Sequence, residues 1–181
     1  MNDELVLAAP AQSPTVKGQE SISPPARTSP RSSLCDDVVI RTATAEDAEG
    51  IVACSKSTDR FAMSAFTIEI DMDELTFWIS DARAVVLVAV RDSEIVGYAY
   101  GFCVSPKWFF FDAFMVKPAL QGHGIGEKMY GCLREKCVEL GVELIQGLVK
   151  DGHPEALKYW LARGFEEGSK CCWLEDWTDE G

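Results

Sequence analysis

Apolar residues recur with two different periods along the chain, and the switches between them mark the elements. "DVVIRTA", from Asp37 to Ala43, alternates as a strand does. Thr44-Ala-Glu-Asp47 then has the form of a capping box, which predicts a helix running to about Ser55. A second helix, started by acids, is predicted from Asp71 to Ile79. "AVVLVAV" (Ala84–Val90) is β-branched and wholly apolar, as a buried strand is. The polar turn Arg91-Asp92-Ser93-Glu94 joins it to "IVGYAYGFCV", which predicts a hairpin. "WFFFDAFMV", from Trp108 to Val116, is a further strand, closed by Pro118.

After this strand the period lengthens. Ile125, Met129, Leu133, Cys137 and Leu140 return every three to four positions, giving a helix from Gly124 to Leu140 with Gly141 as its stop. "VELIQGLV" (Val142–Val149) reads as a strand and "PEALKYWLAR" as a helix with Pro154 in its first turn and Gly164 at its end. "KCCWLE", from Lys170, supplies a last strand. Strands and helices in this order predict an α/β domain with a mixed sheet over 37–176. Residues 1–36 are rich in Pro, Ser, Ala and Gln and poor in bulky apolar side chains, so a disordered tail is expected there, with a short second tail at 177–181. Three Ser-Pro steps in the first tail fit either a plain flexible segment or proline-directed phosphorylation.

Composition narrows the function. The formal charge is −12 over 181 residues, and residues 1–36 carry four acids against three bases, so nearly all of it falls on the domain. Such a surface repels nucleic acid and anionic membranes and attracts cations, amines among them. The longest clean apolar run is far short of a membrane span, and acids stand where a signal peptide would carry positive charge. The seven cysteines are odd in number and form no CxxC, and with only two histidines no zinc spacing arises, so no metal is expected. This cysteine usage predicts a reducing compartment, cytosol or nucleus.

The chemistry-bearing stretch is "QGHGIGEKM", which follows a strand and opens a helix. Three glycines stand at alternate positions, Gly122, Gly124 and Gly126. A Walker loop counted from Gly122 needs its second Gly where Glu127 stands. A dinucleotide fingerprint fails at Glu127 or, counted from Gly124, at Met129. What remains is Gln121-x-x-Gly124-x-Gly126. The first N–H groups of a helix have no internal partner, the helix dipole adds positive charge there, and glycines let a bulky anion approach. A glycine-rich turn without a ligand is the competing reading.

This stretch resembles the acetyl-CoA signature of the GNAT superfamily of N-acetyltransferases, Arg/Gln-x-x-Gly-x-Gly/Ala, here preceded by Val116-x-Pro118. The resemblance extends over about residues 38–175. It implies a sheet in which the Phe109–Val116 strand and the Val142–Val149 strand splay apart like a V. Pantetheine would lie in the gap, paired with main-chain groups near Phe114, Met115 and Val116. The pyrophosphate would sit on the amides of Gln121, Gly122, His123, Gly124, Ile125 and Gly126. The implied co-substrate is acetyl-CoA and the implied partner an amine acceptor. Homodimers are common in the superfamily, though no residue pattern here decides that.

Acetyl transfer to an amine needs a base for the amine, a donor for the oxyanion and a proton for the departing thiolate. The amide of Met115 or Val116 can supply the oxyanion donor. For the base, Asp112 is a lone acid among aromatics, placed four positions before Val116 on the same strand face, where desolvation would favour proton uptake. A strand position facing water is the alternative. For the acid, the superfamily commonly shows Ala-x-x-(Leu/Phe)-Tyr-x-x-x-Gly-Phe. Here, counted from Ala156 and Gly164, the Tyr position holds Trp160, and Tyr159 falls one residue early, about 100° round the helix. An indole cannot deliver a proton at neutral pH. Three accounts stay open: Tyr159 reaches the sulfur despite its offset, His153 or water serves, or the thiolate leaves unaided. Acceptors in the superfamily are usually held around positions that here are Phe61–Phe66 and Cys171–Trp173, and nothing in them selects one amine. A non-catalytic CoA-binding or protein-interaction module of the same fold is the other reading.

Overall fold

A computed structural model of the chain describes residues 33–58 and 70–169. Most of the expected first tail, the Phe61–Phe66 segment, the "KCCWLE" strand with Cys171–Trp173, and the second tail lie outside the described residues.

The described residues form an α/β domain: α1 (Ser33–Asp36), β1 (Val39–Thr42), α2 (Ala48–Ser55), α3 (Met72–Ser80), β2 (Ala84–Arg91), β3 (Glu94–Ser105), β4 (Trp108–Val116), α4 (Ile125–Glu139), β5 (Leu144–Gly147) and α5 (Pro154–Leu161). Two sequence boundaries are corrected. The described residues already form a helix, α1, ahead of Asp37, because Cys35 and Val38 are buried and hold it against the domain. Leu140 is exposed, because α4 ends at Glu139 and the chain turns away at Gly141 with φ 78°.

The sheet has strand order β1-β2-β3-β4-β5. Its first four strands pair antiparallel and β5 joins β4 in parallel. The β2–β3 turn puts both Asp92 and Ser93 at positive φ, the conformation that matches the twist of a two-residue hairpin. Helices cover both faces. Against one face, Ile51, Cys54 and Leu75 from α2 and α3 pack on Val86, Val88, Tyr98, Ala113 and Met115. Against the other, Ile125 and Met129 of α4 meet Val96, Ala99 and Val116, and Leu133, Cys137 and Trp160 meet Phe109 and Phe111. The 3.6-residue stripe read in α4 is thus the seam that holds its first turn at the C-terminal end of β4.

Carboxylates brace the turns that lead into α2 and α3. Asp71 accepts from the amides of Asp73 (2.8 Å) and Glu74 (2.9 Å) at the head of α3. Asp47, in the short 3-10 turn before α2, accepts from the Thr44 amide (2.8 Å) and hydroxyl (3.1 Å). It also takes both terminal nitrogens of Arg41, at 2.6 and 2.7 Å. The Arg41 guanidinium outweighs burial and, with the Thr44 bonds, pulls the Asp47 carboxyl down to about 2.

Candidate functional site

The site grows from the way β4 loses its neighbour. β5 pairs with β4 only from Trp108↔Leu144 to Phe111↔Gly147, and β4 then runs on to Val116. Beyond Phe111 its outer edge has no strand partner among the described residues. At the point of parting, Gly147 lies flat against the ring of Phe111, where a Cβ would stand 2.1 Å from the ring.

The backbone register says which groups face the gap. Val116 pairs with Gly97, and the Lys117 amide donates to Val96 O at 2.9 Å. In an antiparallel pair, bonded and non-bonded positions alternate, so the main chain of Met115 is directed to β3 and that of Phe114 and Val116 to the gap. Gln121 agrees: its Nε2 donates to Val116 O at 2.9 Å from the gap side. Of the two amides expected to serve an oxyanion, Val116 faces the gap and Met115 does not. The Met115 side chain is buried under α2 and α3.

β4 leads by a short turn into the start of α4. Gly122 (φ 81°) and Gly124 (φ 88°) both adopt left-handed backbone that a side chain would strain. Gly124 is the N-cap, and no side chain caps this helix. The first intrahelical bond is from the Lys128 amide to Gly124 O, which leaves the amides of Ile125, Gly126 and Glu127 without helix partners. Ile125 is buried and anchors the turn, while Gln121 is exposed and His123 is half-buried. Lys128 turns from the cradle, its Nζ donating to Cys35 O and Val38 O, so it secures α1.

Asp112 does not lie where alternation placed it. Ala113 pairs with Tyr100 and Phe111 with Gly101, so Asp112 is the extra residue of a β-bulge. The bulge shifts the alternation by one step. Asp112 falls on the α2/α3 side, opposite Val116, and is exposed rather than desolvated among aromatics. It stands at the apex of the splay, and its charge reaches Tyr98 and Tyr100. Both hydroxyls are held well above the ordinary tyrosine range, by burial first, with the Asp112 carboxylate adding to it.

Trp160 is buried in an aromatic cluster, with ring centroids 4.8 Å from Phe111, 4.9 Å from Phe114, 5.1 Å from Phe165 and 5.5 Å from Tyr130. It packs α5 onto the sheet. Tyr159 takes the other direction, toward the cradle. Its hydroxyl is shut from solvent with no hydrogen-bond partner, and a Cβ added at Gly126 would stand 2.8 Å from it. Burial pushes this hydroxyl up to about 12 despite the Arg163 guanidinium, whose Cζ lies 3.3 Å from the ring centroid. Arg163 Nη1 also donates to Tyr159 O at 2.8 Å. The i, i+4 spacing of Tyr159 and Arg163 could have announced this pair in the sequence. His153 is the N-cap residue of α5, its carbonyl accepting from Ala156 (3.1 Å) and Leu157 (3.2 Å). Among the described residues, no group of three or more His, Cys, Asp or Glu is placed to hold a metal.

An open strand edge leading to a bare helix start can take an extended, amide-bearing ligand that ends in phosphate. The residues fit CoA on that ground: main-chain groups for its amides, unfilled N–H groups and glycine surfaces for its diphosphate, and a buried hydroxyl lacking a partner beside them.

No curated protein sequence matches the chain. Among solved structures, an aminoglycoside acetyltransferase from an uncultured soil metagenomic sample, in complex with sisomicin, superposes with TM-score 0.65 at 20% identity, over 77% of this chain and 97% of that one. A transcriptional regulator from Bacillus halodurans C-125 gives 0.62 at 21% identity, over 77% and 99%. The aminoglycoside N-acetyltransferase AAC(6')-Iy in complex with CoA gives 0.61 at 16% identity, over 76% and 98%. These likenesses establish the fold. The family itself is established by sequence: the model of the Acetyltransferase (GNAT) family matches residues 55–165, more than half of the chain, and the chain belongs to that family.

Proposed function

We propose that this protein is an acetyl-CoA-dependent N-acetyltransferase that acetylates a primary amine by direct attack through a tetrahedral intermediate. The observation that carries this is the edge of β4: pairing with β5 ends at Phe111, and the gap-facing main chain of Phe114 and Val116 leads to the uncapped start of α4. The donor then lies along Val116 and Phe114 with its thioester toward the bulge, and the Phe114 and Val116 amides are the candidates to face the developing oxyanion. Asp112, exposed at the apex on the opposite side, takes the ammonium proton directly or through one water before attack. The tyrosine hydroxyls beside Asp112, Tyr98 and Tyr100, are held well above their ordinary range and keep their protons, and a thiolate leaves without an acid far more readily than an alkoxide, because a thiol is much more acidic than an alcohol. The acidic surface favours a cationic acceptor, in keeping with the sisomicin bound by one structural neighbour. A cytosolic or nuclear setting follows from the same cysteine usage as before.

The test is to add a panel of primary amines (polyamines, amino acids, aminoglycosides, lysine peptides) to protein with acetyl-CoA and to follow free thiol and acetylated product. Amine-dependent thiol release with a matching mass gain is expected. Tight CoA binding without release across the panel would instead favour the non-catalytic module. For Asp112→Asn, the expected change is loss of the acidic limb of the pH–rate profile, and an unmoved limb removes it as base.

A further inference from the structure

Resting on the CoA reading above, we propose that Tyr159 binds the donor's diphosphate: its hydroxyl completes the anion cradle at the start of α4 rather than delivering a proton to the thiolate. Three observations converge. First, the hydroxyl is shut from solvent and meets no partner at hydrogen-bond geometry, the nearby Arg163 guanidinium lying over the ring instead. A buried hydroxyl left without a hydrogen bond is destabilising, so the free protein carries it at a loss that a ligand acceptor would remove. Second, the hydroxyl packs against Gly126, the second residue of α4, whose amide is one of those the helix leaves unfilled. A Cβ at Gly126 would stand 2.8 Å from the hydroxyl, so Gly126 and Tyr159 form one fitted contact. Third, the ring is fixed on both sides of its approach: Arg163 lies over it, and Phe114 of the open β4 edge stands 6.2 Å away, centroid to centroid. The hydroxyl is thereby held at the phosphate end of the gap, whereas the splay where the thioester would react opens at Phe111 and Gly147.

The chemistry of the hydroxyl agrees. A phenol pushed up to about 12 keeps its proton, which suits a hydrogen-bond donor to a phosphate oxygen and opposes transfer to a thiolate whose conjugate acid lies near 8.5. Glu127, in the same turn, is a negative charge close to the cradle. A neutral donor at Tyr159 therefore adds anion affinity where α4 itself supplies an acid.

Tyr159→Phe tests this in the full chain, since it keeps the ring and its stacking. Expected results are a melting temperature of the free protein unchanged or raised, and calorimetric CoA affinity about tenfold weaker, as for a hydrogen bond to a charged group. In ³¹P spectra of bound CoA, the diphosphate signals should move while the 3′-phosphate signal stays. Turnover at saturating acetyl-CoA should stay within about threefold. Unchanged CoA affinity overturns the proposal. So does a turnover loss above about tenfold at unchanged affinity, which would make Tyr159 the acid. So does weaker affinity with unmoved diphosphate signals, which would place the hydroxyl on the pantetheine arm. A lowered melting temperature in the free variant would mark a structural role. If the wild-type protein itself binds no CoA, the CoA reading fails rather than the role of Tyr159 within it.

Discussion

The starts of α3 and α4 face the same electrostatic problem and solve it differently. Each presents unfilled amides and the positive end of a dipole. At α3 the chain provides its own anion: Asp71 accepts from two amides. In the turn before α2, Asp47 accepts from the Thr44 amide and hydroxyl. At α4 a glycine stands at the cap, no side chain closes the helix, and a buried tyrosine hydroxyl waits beside it. Glu127 stands in the first turn of α4, yet no side chain accepts from the amides of this start, which leaves them open to an external anion. A self-capped start stabilises the fold, and a bare one reserves the same interaction for a ligand.

The contrast can be broken by making α4 resemble α3. Gly124→Asp places a carboxylate in the cradle and a side chain at φ 88°. CoA affinity should fall more than about 100-fold by calorimetry, from like-charge repulsion and occupied amides, with helical content retained. Retained affinity would refute the cradle. Removing an internal anion should do the opposite, lowering stability and sparing the ligand. Asp47→Asn should cost about 2 kcal/mol in denaturant titration, from a shift of nearly two pKa units at about 1.4 kcal/mol each, reduced by the exposure of Arg41. Because the folded value lies below the unfolded one of about 3.9, the wild-type contribution is complete above about pH 4 and is lost as pH falls toward 2. In the variant that loss should be missing. Asp71→Ala, which opens only the cap of α3, should cost about 1 kcal/mol and leave CoA affinity unchanged.

The glycine turn and helix start of the candidate site were legible in the sequence because their signals are local. Glycine spacing, the strand before it and the 3.6-residue stripe of α4 are all read within a few residues. The bulge at Asp112 was not legible. It depends on how β3 and β4 register, and one extra residue reverses every side chain beyond it. Alternation therefore put Asp112 on the face of Val116, and pairing put it on the other. Tyr159 sat between these cases. Its offset from the familiar tyrosine position was visible, but its direction toward Gly126 arises only where α5 packs on α4 through Trp160. The acceptor half was least legible, since it is assembled from loops that share no spacing rule.

The central claim is that the edge of β4 beyond Phe111 is kept open for the donor, and amide hydrogen exchange with and without CoA tests it most directly. The amides of Phe114 and Val116, which face the gap, and those of Ile125 and Gly126 at the helix start should slow about tenfold or more on CoA addition. The Met115 amide, already committed to β3, should change little. Saturating CoA that leaves Phe114 and Val116 unprotected, or that slows Met115 equally, would contradict the account.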